Sequence, residues 1–495
     1  MLLSRKTKIT DGTEPFHTRK IEMNHPIERA GLLMTILIFA GLAPAADEAG
    51  NSPAAAQQAL IGVAGRDGAA RPRALAQDHW FPQAGLGMFI HWGLASLGGH
   101  HDLSWGMMKD TPWDKAAHNQ NKLKPSEYFA LVEQFQPTNF HPDKWLKAAK
   151  EAGFEYAVLT TRHHEGFALW PSEFGDFSTK NFMGGRDLVA QYVAACRKNG
   201  LRVGFYYSPP DWHYERAYRS WGYKTQGTAE SPHLGLNHEP LAQLLPKPAD
   251  YESKYVAYIN GQLRELLTRY GPVDYLWFDG SAGKDVLSIA AIRALQPGII
   301  VNDRQHGVGD VRTELYECQL PKEHPPGTWE HCFSMTGTMG EWGYTQPEHC
   351  SSAAVLLSHL ARVRGWGGNV LANYGPRPDG EMPDCYYANM SELKGWMNQN
   401  GAAIHGVEAG PYPGSCNVPV SVKGTIWYAY LVPENPDVPP VAGPIVLKGM
   451  GKPAKVVMLA SGKEIPATVT GNECVIEVPA DLRSASLDVV AIEWK

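Results

Sequence analysis

The chain has 495 residues, 43% of them hydrophobic and 19% charged, which is the balance of a protein with an ordinary folded core rather than a disordered one. A formal net charge of -6 with no basic block offers nothing to a phosphate backbone, so nucleic acid is not an expected partner. The 15 Trp and 21 Tyr suit stacking on sugar faces, although most such rings serve simply as core.

From Arg29 the chain runs RAGLLMTILIFAGLAPAADEAG, an apolar stretch of signal-peptide length that ends in the small-x-small pattern Ala43-Pro44-Ala45. It is too short for a comfortable membrane span, which needs about 20 apolar residues. Residues 1–45 therefore read as a signal peptide, with Met23 as a more usual start, and imply export to the periplasm or the cell exterior with no membrane anchor in the mature chain. Residues 46–75, rich in Ala, Gly and Gln, read as a linker. From 76 to 405 strand-like and helix-like segments alternate. The strand candidates are GLGMFIHWG, YAVLTTRHH, LRVGFYYS, VDYLWFDG, GIIVND and GNVLANYG. Between them, PDKWLKAAKEAG places Trp145, Ala148 and Ala149 on one helical face, and SKYVAYINGQLRELLTRYG spaces Tyr255, Ile259, Leu263 and Leu266 likewise. Such alternation calls for an α/β fold with a parallel sheet, and the span fits a (β/α)8-like barrel. Residues 411–495 change texture to short alternating or β-branched runs, VSVKGTIWYAYLV, GPIVLKG, KVVMLASGKEI, NECVIEVP and LDVVAIEW, which read as a C-terminal antiparallel β-sandwich.

The seven cysteines, Cys196, Cys318, Cys332, Cys350, Cys385, Cys416 and Cys474, are odd in number and show no C-x-x-C spacing, so no zinc or redox site is expected. In a barrel, catalytic groups gather where strands deliver them to the C-terminal face. Here five strands end in chemistry: His91 and Trp92, His163 and His164, Tyr206 and Tyr207, Asp279, and Asn302-Asp303-Arg304. A carboxylate at the end of the apolar run Tyr275-Leu276-Trp277-Phe278 costs several kcal/mol to bury unless it is paired or used. Adjacent His163 and His164 on an extended segment would point to opposite faces, and no further ligand set accompanies them, so hydrogen bonding to a polyhydroxy ligand is preferred over metal. Alternation makes Tyr207 inward if Phe205 is inward, with Tyr206 packing outside.

FIHWG, TTRHHEGFALWPSEFGDFS, VGFYYSPPDW, YGPVDYLWFDG, IVNDR, GWGGNVLANYGPRPDG and NGAAIHG resemble, in order over roughly residues 78–406, the signature segments of the glycoside hydrolase family 29 α-L-fucosidases. The resemblance implies a catalytic barrel followed by a β-sandwich, no cofactor or metal, and a fucosylated oligosaccharide or glycan as substrate. It implies a retaining mechanism in which Asp279 attacks the anomeric carbon, with a second carboxyl about 5–5.5 Å away as general acid and then base. YECQLP points to Glu317 for that second role, TWEHC to Glu330 as its rival, and RTELY to Glu314 as a poorer match. By the same resemblance His91, His163, His164, Tyr207, Trp277 and Arg304 line the sugar pocket with Trp92 beside them, while Asn369 and Asn373 are structural. A bridge between Cys318 and Cys332, both in the acid/base segments, is left open. One departure stands out: where the family usually shows Glu-Trp-Tyr, with the Glu on a sugar hydroxyl, this chain has Ser104 before Trp105, and His100, His101 or Asp102 are the candidates to substitute. Two alternatives follow, a retaining glycosidase for another α-L-sugar such as α-L-galactose, and a catalytically silent carbohydrate-binding protein.

Overall fold

In a computed structural model of the chain, residues 53–63, 75–98, 103–111, 123–225, 232–313, 317–337, 341–432 and 443–495 are described. The signal peptide, Glu314, and His100, His101 and Asp102 lie outside them. Eight parallel strands follow the chain: β1 (Leu86–Ile90), β2 (Tyr156–Arg162), β3 (Arg202–Tyr207), β4 (Tyr275–Phe278), β5 (Ile300–Val301), β6 (Arg312–Thr313), β7 (Trp329–Ser334) and β8 (Asn369–Tyr374). Their hydrogen-bonded order is β5-β4-β3-β2-β1-β8-β7-β6, and a parallel bridge between Asn302 and Val311 joins the two ends. The result is the expected (β/α)8-like barrel.

Alternation along each strand sorts side chains between two cores. Phe89, Tyr156, Val158, Tyr206, Tyr275, Trp277, Ile300, Cys332 and Leu371 fill the barrel, whereas Met88, Leu159, Phe205, Tyr207, Leu276 and Phe278 face the helices outside. Those helices include α2 (Pro142–Glu151), α3 (Leu188–Lys198), α4 (Tyr251–Arg269), α5 (Ile289–Leu295), α6 (Ala353–Gly365) and α7 (Asp384–Asn400). Among the described residues no helix separates β5 from β6 or β6 from β7, so the ring is covered incompletely there.

Before the barrel stands α1 (Pro53–Leu60), inside the segment read as a linker. The linker expectation fails at this point. Ala- and Gln-rich composition also suits a helix, and this one is fixed by Ser281 N–H donating to Ile61 O (3.0 Å) and by Gln58, which is buried.

After the barrel, one sheet runs Glu408–Ala409, Val420–Lys423, Ile426–Leu431, Asp488–Glu493, Lys455–Met458, and a second runs Ile445–Lys448, Glu473–Ile476, Ala467–Thr470, all antiparallel. Val420, Leu431, Val490 and Ile492 of the first pack on Ile445, Leu447 and Ile476 of the second. Tyr428, Tyr430 and Val489 face the other way, into the barrel's outer core. This is the expected sandwich, seated on the barrel through contacts such as Trp396 Nε1–H to Leu487 O (2.7 Å). Among the described residues one disulfide forms, Cys350 to Cys385, and Cys318 and Cys332 are not bridged. No helix among the described residues is long and apolar enough to cross a membrane.

Candidate active site

The site lies at the C-terminal ends of the strands. Asp279 follows β4 directly and is 8% exposed. Gly280 turns the chain behind it with φ of 86°, and a side chain there would press on Ile61 O. Both oxygens of Asp279 are engaged: Arg304 Nη1 donates to Oδ1 (2.7 Å) and the Tyr206 hydroxyl to Oδ2 (2.8 Å). The buried carboxylate is thus paired and hydrogen-bonded, which offsets its desolvation.

The same Arg304 Nη1 reaches Glu317 Oε1 at 2.6 Å. Legs of 2.7 and 2.6 Å through one nitrogen hold the two carboxylate oxygens no farther apart than their sum, about 5.3 Å. Burial alone would lower the Arg304 pKa, but Glu317 and Asp279 outweigh it and raise the value above the ordinary one. The guanidinium is a fixed cation, lying over the Trp277 ring at 4.5 Å.

Around the carboxylates stand His91, His163, His164, Tyr206, Trp277 and Trp342, with Leu103 and Trp105 from the loop after β1. His91 Nδ1 pairs with Asn373 Oδ1 (2.8 Å), whose amide nitrogen donates to Ser334 Oγ and Trp342 O. That fixes the oxygen as acceptor, so the proton sits on His91 Nδ1. Asn373 thereby orients His91, while Asn369 accepts Gly85 N–H at the opposite end of the barrel. Burial lowers the pKa of His91 and of His164 well below the usual imidazole value, and both rings are neutral. Burial and then Asp279 raise that of Tyr206, which keeps its proton to donate.

Several expectations are corrected. His163 and His164 both face the pocket, with ring centroids 4.1 Å apart, because β2 ends at Arg162 and a turn replaces strand alternation. Their ligand atoms and that of Asp279 lie within 4.8 Å of one another, yet Arg304 and Tyr206 already hold the Asp279 oxygens. Tyr206 takes the place expected for Tyr207. Phe205 faces the helices, so Tyr207 does too, donating to Gln262 Oε1 (3.0 Å) under the Arg162 guanidinium. Trp92 also points outward, stacked on Phe140 at 4.6 Å with its indole N–H on Arg377 O.

Glu330 is not in the pocket. As the second residue of β7 it pairs in register with Asn369, the first of β8, and so lies inside the barrel toward the N-terminal end. Tyr156 Oη (2.5 Å), Trp277 Nε1 (3.0 Å) and Tyr275 Oη (3.2 Å) donate to it. It anchors the indole of Trp277 from below. Burial, the largest influence, pushes its pKa up to about 7 against those three donors. Folded Glu330 keeps its proton to about pH 7, whereas the unfolded chain releases it near 4.5. The stability it contributes is full below 4.5 and declines as pH rises to about 7, by on the order of 3 kcal/mol. Glu330→Gln cannot ionise, so its melting temperature relative to wild type is expected to rise by several degrees between about pH 5 and about pH 8. A flat difference in calorimetry at the two pH values would overturn this.

Two groups at the site were not among the expected residues. Gln58 of α1 accepts from Arg304 Nη1 (3.1 Å) and donates to Glu317 Oε1 (3.1 Å), and with Gln57 and Ile61 it lines the pocket, leaving a cavity of about 20 Å³. Glu165 lies behind His163, against Ser104.

With that geometry in place, the comparisons are specific. The sequence model of the family described as Alpha-L-fucosidase matches residues 69–402. The tissue alpha-L-fucosidase of Mus musculus is 28% identical over 377 residues, covering 70% of this chain and 75% of that protein. The human plasma alpha-L-fucosidase is 28% identical over 347 residues, covering 66% and 68%. The solved structure of alpha-L-fucosidase isoenzyme 1 from Paenibacillus thiaminolyticus superposes with a TM-score of 0.68 at 28% identity, covering 85% of this chain and 99% of that one.

Proposed function

Because the chain belongs to the α-L-fucosidase family, glycoside hydrolase family 29, we propose that it is a retaining exo-α-L-fucosidase that releases terminal α-L-fucose from oligosaccharides or glycans. The observation that carries the retaining assignment is the pair Asp279 and Glu317, whose facing oxygens are held within about 5.3 Å by Arg304. Inverting enzymes need about 6.5–9.5 Å to fit a water between the two carboxyls.

In the first step an Asp279 oxygen attacks the anomeric carbon while Glu317 protonates the leaving oxygen. In the second, Glu317 takes a proton from water, which displaces the sugar from Asp279 and restores the carboxylate. Arg304 and Tyr206 hold Asp279 in position and orient its free lone pair. His91, His163 and His164 meet sugar hydroxyls, and the Trp277, Trp105 and Trp342 faces meet apolar sugar surface. The Arg29–Ala45 segment supports action in the periplasm or outside the cell.

Hydrolysis of an aryl α-L-fucoside, followed by NMR of the newly released sugar, is expected to give the α-anomer first. Release of the β-anomer would refute retention. The aryl α-L-galactoside run in parallel separates this reading from the other α-L-sugar, and turnover of neither by folded protein would favour a carbohydrate-binding role.

A further inference from the structure

The loop after β1 places Ser104 fully buried behind the pocket, where its hydroxyl meets three groups at once. Ser104 Oγ donates to Glu165 Oε2 (2.5 Å), accepts the backbone N–H of Glu165 (2.9 Å) and lies 2.5 Å from His163 Nδ1. A hydroxyl has a single proton. It goes to buried Glu165, whose Oε2 also lies 3.5 Å from His163 Nδ1. Toward His163 the serine oxygen is therefore an acceptor, and the hydrogen in that contact belongs to Nδ1.

We infer that Glu165, acting through Ser104, fixes His163 in the Nδ1–H tautomer, so that Nε2 presents a lone pair to the pocket and accepts a hydrogen bond from a hydroxyl of the bound sugar. His163 lines the cavity, and its ring stacks on Tyr206 at 5.6 Å and 10°, which fixes the plane in which that lone pair lies. Ser104 and Glu165 are absent from the cavity wall, so they are positioning residues and not contacts of the sugar. The arrangement also accounts for Ser104 at a position where a longer acidic side chain would have to share this buried space. The carboxylate comes from the loop after β2 instead, and a short hydroxyl couples it to the imidazole. The sugar contact rests on the function proposed above, whereas the tautomer does not.

The test uses the full-length protein carrying ¹⁵N-labelled histidine rings, with His163 assigned by its loss in His163→Asn. Long-range ¹H–¹⁵N correlation is expected to show a protonated-type Nδ1 and an unprotonated-type Nε2 in the resting wild type. In Ser104→Ala the Nδ1 resonance moves toward the unprotonated type, and KM for an aryl α-L-fucoside rises about fivefold, the loss of one neutral hydrogen bond, while kcat changes less than twofold. Ser104→Thr, which keeps a hydroxyl, restores both. A proton on Nε2 of the wild-type ring overturns the proposal without recourse to any variant that fails to fold. An Nδ1–H ring with KM unmoved by Ser104→Ala overturns the sugar contact. If wild type turns over no fucoside yet shows the Nδ1–H tautomer, the relay stands and the fucosidase reading falls.

Discussion

Asp279→Ala is expected to lower kcat on an aryl α-L-fucoside by about 10⁴-fold or more, the scale seen when a covalent nucleophile is removed. On the proposed mechanism the loss belongs to kcat, because there the side chain reacts with the anomeric carbon rather than merely holding the sugar. Folding is expected to survive, since Arg304 retains Glu317 and Gln58 as partners once the aspartate is gone. Circular dichroism on the variant checks that point, and a folded variant with less than a tenfold loss would remove Asp279 from the chemistry.

Glu317→Gln is expected to discriminate by leaving group. A general acid contributes typically 10²–10⁴-fold, so fucosides of poorly acidic alcohols should lose about that factor in their first step, while a nitrophenyl fucoside, whose phenolate leaves unaided, should lose far less. Glu330→Gln is expected to stay within about tenfold of wild type on both substrates, because its carboxyl meets Tyr156, Tyr275 and Trp277 and not the reacting bond. Kinetics on the two fucosides decide between the two glutamates. Leaving-group dependence in Glu330→Gln and none in Glu317→Gln would exchange their roles.

How much of the fold is legible in the sequence follows from how much pattern each element carries. Long apolar runs such as Tyr275–Phe278 announced β4 and the carboxylate at its end. Arg312–Thr313 was too short to show a period, and Trp329–Ser334 alternates polar residues into the barrel and so lacked an apolar run. In β3 every residue after Arg202 is buried on both faces, so hydrophobicity could not tell Tyr206 from Tyr207, and only the register with neighbouring strands does. The facing of His163 and His164 depends on the residue at which β2 stops, which no composition signals. Glu165 stood in view within the HHEGF segment, but its use depends on Ser104 meeting it from 61 residues away. Gln58 was hidden in a low-complexity stretch.

That glutamine has a thermodynamic meaning. A cavity of about 20 Å³ has room for roughly one water while Gln58 lies against it. On the proposed function, a sugar that displaced the Gln58 amide would take away its bonds to Arg304 and Glu317. The amide is tethered to the chain and so stands at these two groups at a fixed effective concentration however dilute the protein.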